Sequence, residues 1–172
     1  MCIRDSIALV LHSKDKQFTI RGEPAASYED LQKGPVILLG AFNNDWVIYL
    51  TRSMHYHFAQ NTDGFQWIED QKNPSAKIGL QRIDKDTFGP QEFGLVARVI
   101  DSETKQPIII IGGVTPVGSA AGGQLVTNPQ LLSDLLKTVP ENWQSKNLEV
   151  LFSVNVIDNQ PGPPHVVASV VW

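Results

Sequence analysis

Pro107-Ile-Ile-Ile-Ile-Gly-Gly-Val-Thr-Pro-Val-Gly-Ser-Ala-Ala-Gly122 carries four consecutive isoleucines into a glycine pair and then into a helix start. An uninterrupted aliphatic run fits a strand buried on both faces, as in the middle of an α/β sheet. The glycines let the backbone turn sharply, and Thr115 or Ser119 can cap the helix that follows. A second stretch, Pro35-Val-Ile-Leu-Leu-Gly-Ala-Phe-Asn-Asn-Asp-Trp46, repeats the design with Asn and Asp as the capping types. In open α/β sheets ligands settle in the crevice at the carboxyl ends of such strands. The pair of stretches therefore predicts a fold class and a place for a ligand, at the ends of strands 36–41 and 107–111.

Working outward, residues 7–12 read as the tail of a helix and Phe18-Thr-Ile-Arg21 as a short strand. Ser27-Tyr-Glu-Asp30 is an acidic variant of the capping box, opening a brief helix that Gly34-Pro35 stops. Trp46, Tyr49, Leu50 and Met54 share one helical face over 44–54, and His55-Tyr-His-Phe-Ala59 alternates like a strand. Residues 60–92 read as an irregular connection, long enough to imply that it covers something. Residues 93–100 and 107–111 form one β-hairpin; 147–157 and 165–172 form a second, joined through Asp158-Asn-Gln-Pro-Gly-Pro-Pro164. Helices are expected over 115–126 and 129–138. The expectation is one α/β domain over residues 7–172: a three-layer-like arrangement of a mixed sheet with helices packed on it and both hairpins in its C-terminal half.

The 172 residues hold 14 Lys and Arg against 18 Asp and Glu, a net charge of −4, and no basic run exceeds two residues. A nucleic-acid surface is thereby disfavoured. No apolar stretch approaches the roughly 20 residues that span a bilayer, so no membrane insertion is expected of this segment; nothing fixes its compartment. Met1-Cys-Ile-Arg-Asp-Ser6 resembles a peptide translated from sequencing adapter, and the expectation is that residues 1–6 are a non-native artefact and the rest a fragment of a longer chain. Cys2, the single cysteine, falls inside it. No disulfide framework or zinc knuckle is then available.

Candidate chemistry is sparse. The turn from Gly112 to Gly122 can present backbone N–H groups at the positive end of a helix, an arrangement that attracts phosphate or carboxylate, with Thr115 and Ser119 as hydroxyl donors. It lacks the Gly-Lys-Ser/Thr of a phosphate loop and the dinucleotide glycine spacing. The competing reading gives its small residues, Gly113 and Gly118 among them, to close packing of helix on sheet. Gly118-Ser-Ala-Ala-Gly122 has its serine one place early for a nucleophile elbow, and His165 stands alone, so no catalytic set is assigned. Asn43, Asn44 and Trp46 offer amides beside an indole, suited to a small polar ligand; they equally suit a capped helix with a packed tryptophan. His55 and His57 share a strand face and would need Asp63, Glu69 or Asp70 to complete a metal site; plain surface histidines are the simpler reading, and no metal or cofactor is assigned. Glu69-Asp70 and Asp84-Lys-Asp86 read as solvated loop carboxylates, and Phe65, Trp67 and Phe88 as aromatics that dock the loop.

Gly40-Ala-Phe-Asn-Asn-Asp-Trp-Val-Ile-Tyr-Leu-Thr51, Asp101-Ser-Glu-Thr104, Gly118-Ser-Ala-Ala-Gly122, Trp143-Gln-Ser-Lys-Asn-Leu148 and Pro161-Gly-Pro-Pro164 together resemble a family of uncharacterised proteins common in Acidobacteria. The resemblance covers nearly the whole chain from Ser6. It implies that this module is the C-terminal part of a longer protein, preceded by a winged-helix DNA-binding domain or a transmembrane segment. It brings no activity and no catalytic residue. Where the family pattern reads Gly-Thr-x-Ala-Ala-Gly-Glu-Phe, this chain has Gly118-Ser-Ala-Ala-Gly-Gly-Gln-Leu125, without the acidic residue. The functional expectation is a non-enzymatic sensory or ligand-binding module for a small polar or anionic molecule, contacted by Asn43, Asn44, Trp46, Gly113, Thr115, Gly118 and Ser119. Its partner would be the missing upstream domain. The alternatives are a structural module that forms a homodimer through the strand 165–172, and an enzyme acting on phosphorylated or glycosidic substrates.

Overall fold

The isoleucine run lies inside a five-stranded sheet, with Ile108, Ile110 and Ile111 at most 1% exposed. The computed structural model describes residues 3–22, 25–82, 88–102 and 105–172. Its helices are α1 (Ile3–Ser13), α2 (Tyr28–Gln32), α3 (Asp45–Thr51), α4 (Pro116–Thr127) and α5 (Pro129–Leu136). Its strands are β1 (Val36–Leu39), β2 (Tyr56–Gln60), β3 (Phe65–Asp70), β4 (Asn73–Arg82), β5 (Gln91–Ile100), β6 (Pro107–Gly113), β7 (Leu148–Ile157) and β8 (Gln160–Val171). The large sheet has the order β1-β6-β5-β7-β8, and β2-β3-β4 form a second sheet. Among the described residues only β1 and β6 pair in parallel, from Val36↔Ile108 to Leu39↔Ile111; β5–β6 and β7–β8 are antiparallel hairpins. The mixed α/β sheet and its two C-terminal hairpins are as the sequence predicts.

Side-chain alternation sorts the core into two layers. Leu148, Val150, Phe152 and Val154 of β7 face α4 and α5, meeting Ala121, Leu125 and Leu135. Leu95, Ala97, Ile108, Ile110 and Leu151 face the other way, onto Val47 of α3 and Tyr56, Phe58 and Ile68 of the small sheet. The large sheet is thus the middle of three layers. Helix α4 buries Val117, Gly118, Ala121, Gly122, Gly123 and Leu125, too many to lie on one face. A helix that is apolar all round must be covered on more than one side. A Cβ on Gly122 would sit 3.0 Å from Ile111, and one on Gly123 would sit 2.6 Å from Ile3 of α1. The small residues admit the sheet on one side and α1 on the other.

Three expectations are corrected. Residues 60–92 are not an irregular cover: β3 and β4 occupy about half of that span, and the small sheet they build with β2 is a layer of the fold. The span includes the predicted Asp84-Lys-Asp86 loop, which lies outside the described residues. Phe18–Arg21 forms no strand, and Phe18 and Ile20 are exposed. Finally, β8 begins at Gln160, not His165, and takes in Pro161, Pro163 and Pro164. An edge strand tolerates prolines because a missing N–H costs nothing on the side that faces no neighbour. The turn shrinks to Asp158-Asn159, both at positive φ (49° and 59°), the conformation of a tight hairpin turn.

Candidate functional site

Parallel pairing of β1 and β6 brings their carboxyl ends side by side, so the two strand–glycine–helix turns meet. The Gly40 N–H donates to the Ile111 carbonyl at 3.0 Å, extending the ladder by one bond. Gly40 then turns away at φ +93°, where a side chain would be strained. Gly112 lies flat on it: a Cβ there would strike the Gly40 carbonyl oxygen and approach Phe58 Cζ to 3.2 Å. Between the turns opens a cleft of about 280 Å³ lined by Ala41, Phe42, Asn43, Gln66, Gly113, Val114, Thr115, Pro116 and Ser119.

Of the seven residues expected to contact a ligand, Asn43, Gly113, Thr115 and Ser119 line this cleft. Asn44, Trp46 and Gly118 do not. Asn44 is the N-cap of α3: its Oδ1 accepts from the Trp46 and Val47 N–H groups at 3.1 and 3.4 Å, and its Nδ2 donates to the Leu39 carbonyl at 3.3 Å. Trp46 Nε1 donates to the Ala26 carbonyl at 3.2 Å while the indole packs against Tyr28 and Tyr49. A Cβ on Gly118 would sit 2.8 Å from the Phe93 carbonyl oxygen, so that glycine lets α4 approach β5.

Most donors at the start of α4 are already engaged. Thr115 Oγ1 accepts from the Val117 N–H at 3.2 Å, Ser119 Oγ accepts from the Gly113 N–H at 3.0 Å, and the Ser119 N–H donates to the Thr115 carbonyl at 3.0 Å. Val114 N–H donates to the Phe93 carbonyl, and Pro116 at the first helical position has no N–H at all. Among the described residues no Lys, Arg or His lines the cleft. The phosphate cradle anticipated at this turn is therefore largely closed by its own chain. Polar groups facing the cleft come instead from Asn43, which also accepts from the Ala41 N–H at 3.2 Å, and from Gln66 of β3.

Two buried carboxyl groups were not anticipated. Glu92 of β5 is 1% exposed. Its Oε1 accepts from Gln81 Nε2 at 3.3 Å, and among the described residues no hydrogen bond of ordinary length reaches its Oε2. Burial pushes the group up to about 7, an effect partly offset by the nearby Thr115 hydroxyl. Gln81 is the register partner of Gln66, so Glu92 is flanked by one cleft residue, Thr115, and by the neighbour of another. Glu149 of β7 is fully buried on the opposite face of the large sheet, where its Oε2 accepts from the Tyr56 N–H of β2 at 3.1 Å. Burial, with the charge of Asp70 nearby, raises it to about 7 against the pull of the Tyr56 and His55 backbone. A lone glutamate inside an apolar strand, as in Leu148-Glu-Val-Leu-Phe, is the sequence signal that marks it.

His55 and His57 do not converge on a third ligand. His55 Nε2 lies 3.1 Å from Asp70 and His57 Nε2 lies 3.5 Å from Glu69, two separate pairs on the small sheet. Among the described residues no group of three His, Cys, Asp or Glu side chains could hold a metal ion. Glu69 and Asp70, read as loop carboxylates, belong to β3; Trp67 beside them is buried, with Lys77 over its ring at 4.6 Å. Among the described residues no helix is long and apolar enough to cross a membrane. Comparison with known protein families gives no match, nor does comparison with curated proteins or with solved structures.

Proposed function

We propose that the chain is a non-enzymatic ligand-binding module of the sensory kind, and that a small polar molecule occupies the cleft between the two glycine turns. The observation that carries the reading is the meeting of those turns at the only parallel strand pair of the described residues, with Asn43 and Gln66 left facing the opening. Carboxyl ends of parallel strands are where α/β sheets hold ligands. Gln66 stands on the small sheet and Asn43 on the large-sheet turn, so one ligand touching both would tie two layers together. That coupling is the means by which occupancy would reach an upstream domain of the same chain, the partner implied by the family resemblance.

The test is a thermal-shift screen with amines, amino acids, sugars, nucleotides and sugar phosphates, repeated on Gln66→Leu. A ligand at about 100 times its Kd adds roughly 2.7 kcal/mol, or about 5–10 °C for a domain of this size. A shift that Gln66→Leu abolishes supports the cleft; the absence of any shift, or one that Gln66→Leu leaves intact, overturns it. A second reading, assembly into a homodimer, is favoured by the place of β8 at the edge of the large sheet, where Val167 and Trp172 are exposed. Sedimentation at tens of micromolar decides it, since a strictly monomeric protein rules it out.

A further inference from the structure

The two carboxamides that line the cleft are opposite in what they leave free, and, on the reading of that cleft as the binding site, they define what it takes. Asn43 Oδ1 is spent on the Ala41 N–H at 3.2 Å, and its Nδ2 bonds to nothing among the described residues, so it is a spare donor. Gln66 is the reverse: its Nε2 donates to Gln60 Oε1 at 3.4 Å, and its Oε1 is a spare acceptor. The donor stands on the turn after β1 and the acceptor on β3 of the small sheet. Among the described residues no charged side chain of either sign lines the cleft. The N–H groups of Gly113, Val114 and Val117, which an anion would need, are spent on Ser119, Phe93 and Thr115.

An ammonium or guanidinium ion brings donors only, and would leave Asn43 Nδ2 facing its own kind. A carboxylate or fully ionised phosphate brings acceptors only, and would leave Gln66 Oε1 unmatched. Either ion would also shed water where no opposite charge replaces it. A hydroxyl or a primary amide brings donor and acceptor together. We infer that the cleft takes a small uncharged molecule bearing hydroxyl or primary amide groups, which accepts from Asn43 and donates to Gln66. Ala41, Phe42, Val114 and Pro116 supply apolar wall for its carbon skeleton. The cleft volume, about 280 Å³, equals about nine waters at their liquid share of about 30 Å³ each, which keeps the occupant small.

NMR titration of the isotope-labelled whole chain tests this, read at the Asn43 and Gln66 side-chain amides and the Ala41 and Gly113 backbone amides. Glycerol and glucose are the polyol probes and acetamide the amide probe, so whichever binds names the source; methylamine and inorganic phosphate are the ions. We expect an uncharged probe to bind with an affinity that changes less than about twofold between roughly 0.05 and 0.5 M salt. Asn43→Asp keeps an oxygen for the Ala41 N–H and loses the donor, whereas Gln66→Leu loses the acceptor. Each should weaken binding by about three- to tenfold, the worth of one neutral hydrogen bond, while Gln66→Glu, which keeps an acceptor oxygen, retains it. Urea unfolding verifies that the variants fold. An ion that binds in place of the uncharged probes, and that Gln66→Leu weakens, overturns the uncharged class and leaves the cleft standing. An uncharged probe that Gln66→Leu weakens and Asn43→Asp does not overturns the donor–acceptor pairing, again with the cleft standing. Failure of every probe, or binding that neither variant changes, overturns the cleft reading together with this one.

Discussion

Replacing Glu149 by Gln should abolish much of the loss of stability that this protein undergoes between pH 5 and pH 8. Burial raises the carboxyl from an ordinary value of 4.5 to about 7, so the folded state holds a proton that the unfolded chain releases near 4.5. The contribution is therefore most favourable below pH 4.5 and is lost as pH rises through 7. A rise of about 2.5 units is worth about 3 kcal/mol once both values are passed, and most of it falls between pH 5 and pH 8. In Glu149→Gln the amide oxygen still accepts the Tyr56 N–H, and the amide nitrogen takes the place of Oε1, to which no hydrogen bond of ordinary length is made among the described residues. The variant should match the parent near pH 5 and exceed it by about 2–3 kcal/mol at pH 8, about 5–10 °C in Tm. Urea unfolding at pH 5, 6, 7 and 8 measures both curves; Glu92→Gln, raised to the same range, should show a second and additive flattening. A Glu149→Gln curve parallel to that of the parent, or a loss of stability at pH 8, would refute the reasoning.

Phe152→Ala should be severe. The ring is fully buried and fills the space beside Gly122, whose Cβ would lie 3.2 Å from its Cζ, so glycine backbone cannot collapse into the void. The expected cost is about 3–5 kcal/mol by denaturant unfolding. Asn44→Ala removes a helix cap and the donor to the Leu39 carbonyl together, costing about 1–2 kcal/mol while leaving the cleft walls in place. Asn159→Gly should raise the unfolding midpoint slightly, by a few tenths to about 1 kcal/mol, because φ is +59° there and glycine meets that angle without strain.

The large sheet was legible because its determinants are local. Four isoleucines, a glycine pair and Thr115 spell strand, turn and helix within a dozen residues, and the same grammar at 35–46 placed the second turn. Of the small sheet only β2 was legible, from the alternation over 55–59; β3 and β4 were not, since Pro74, Gly79 at φ +67° and register shifts between the two break the pattern. Those interruptions read as loop in one dimension and as a bulged outer strand in three. Gln66 was invisible for the same reason: tertiary packing, not spacing, carries it to the cleft. Trp46 and Asn44 show the opposite failure. Amides beside an indole suit a ligand and suit a capped helix equally well, and only the Ala26 carbonyl partner of the indole decides for the second. Glu149 had a visible signal, a charge inside an apolar strand, but its partner lies on another element, so the signal named no role; Glu92, beside Gln91 at the polar start of β5, had none.

Glu149 has a role that charge alone does not describe. The Tyr56 N–H opens β2 and points into the interlayer space, and the glutamate reaches from β7 to accept it, joining the two sheets through one side chain. Glu149→Leu would remove the charge as Gln does and add apolar surface to the core, yet it would leave that N–H buried and unpaired. An orphaned buried donor costs about 1–3 kcal/mol, comparable to the relief from discharging the carboxylate at pH 8. Leu should therefore gain little or nothing over the parent at pH 8 and fall below it at pH 5, where the carboxyl is already neutral. Amide exchange at Tyr56 supplies a local readout, faster in the Leu variant than in Gln. If Leu matches Gln in stability and in exchange at both pH values, the Tyr56 N–H has another partner and Glu149 does not latch the layers.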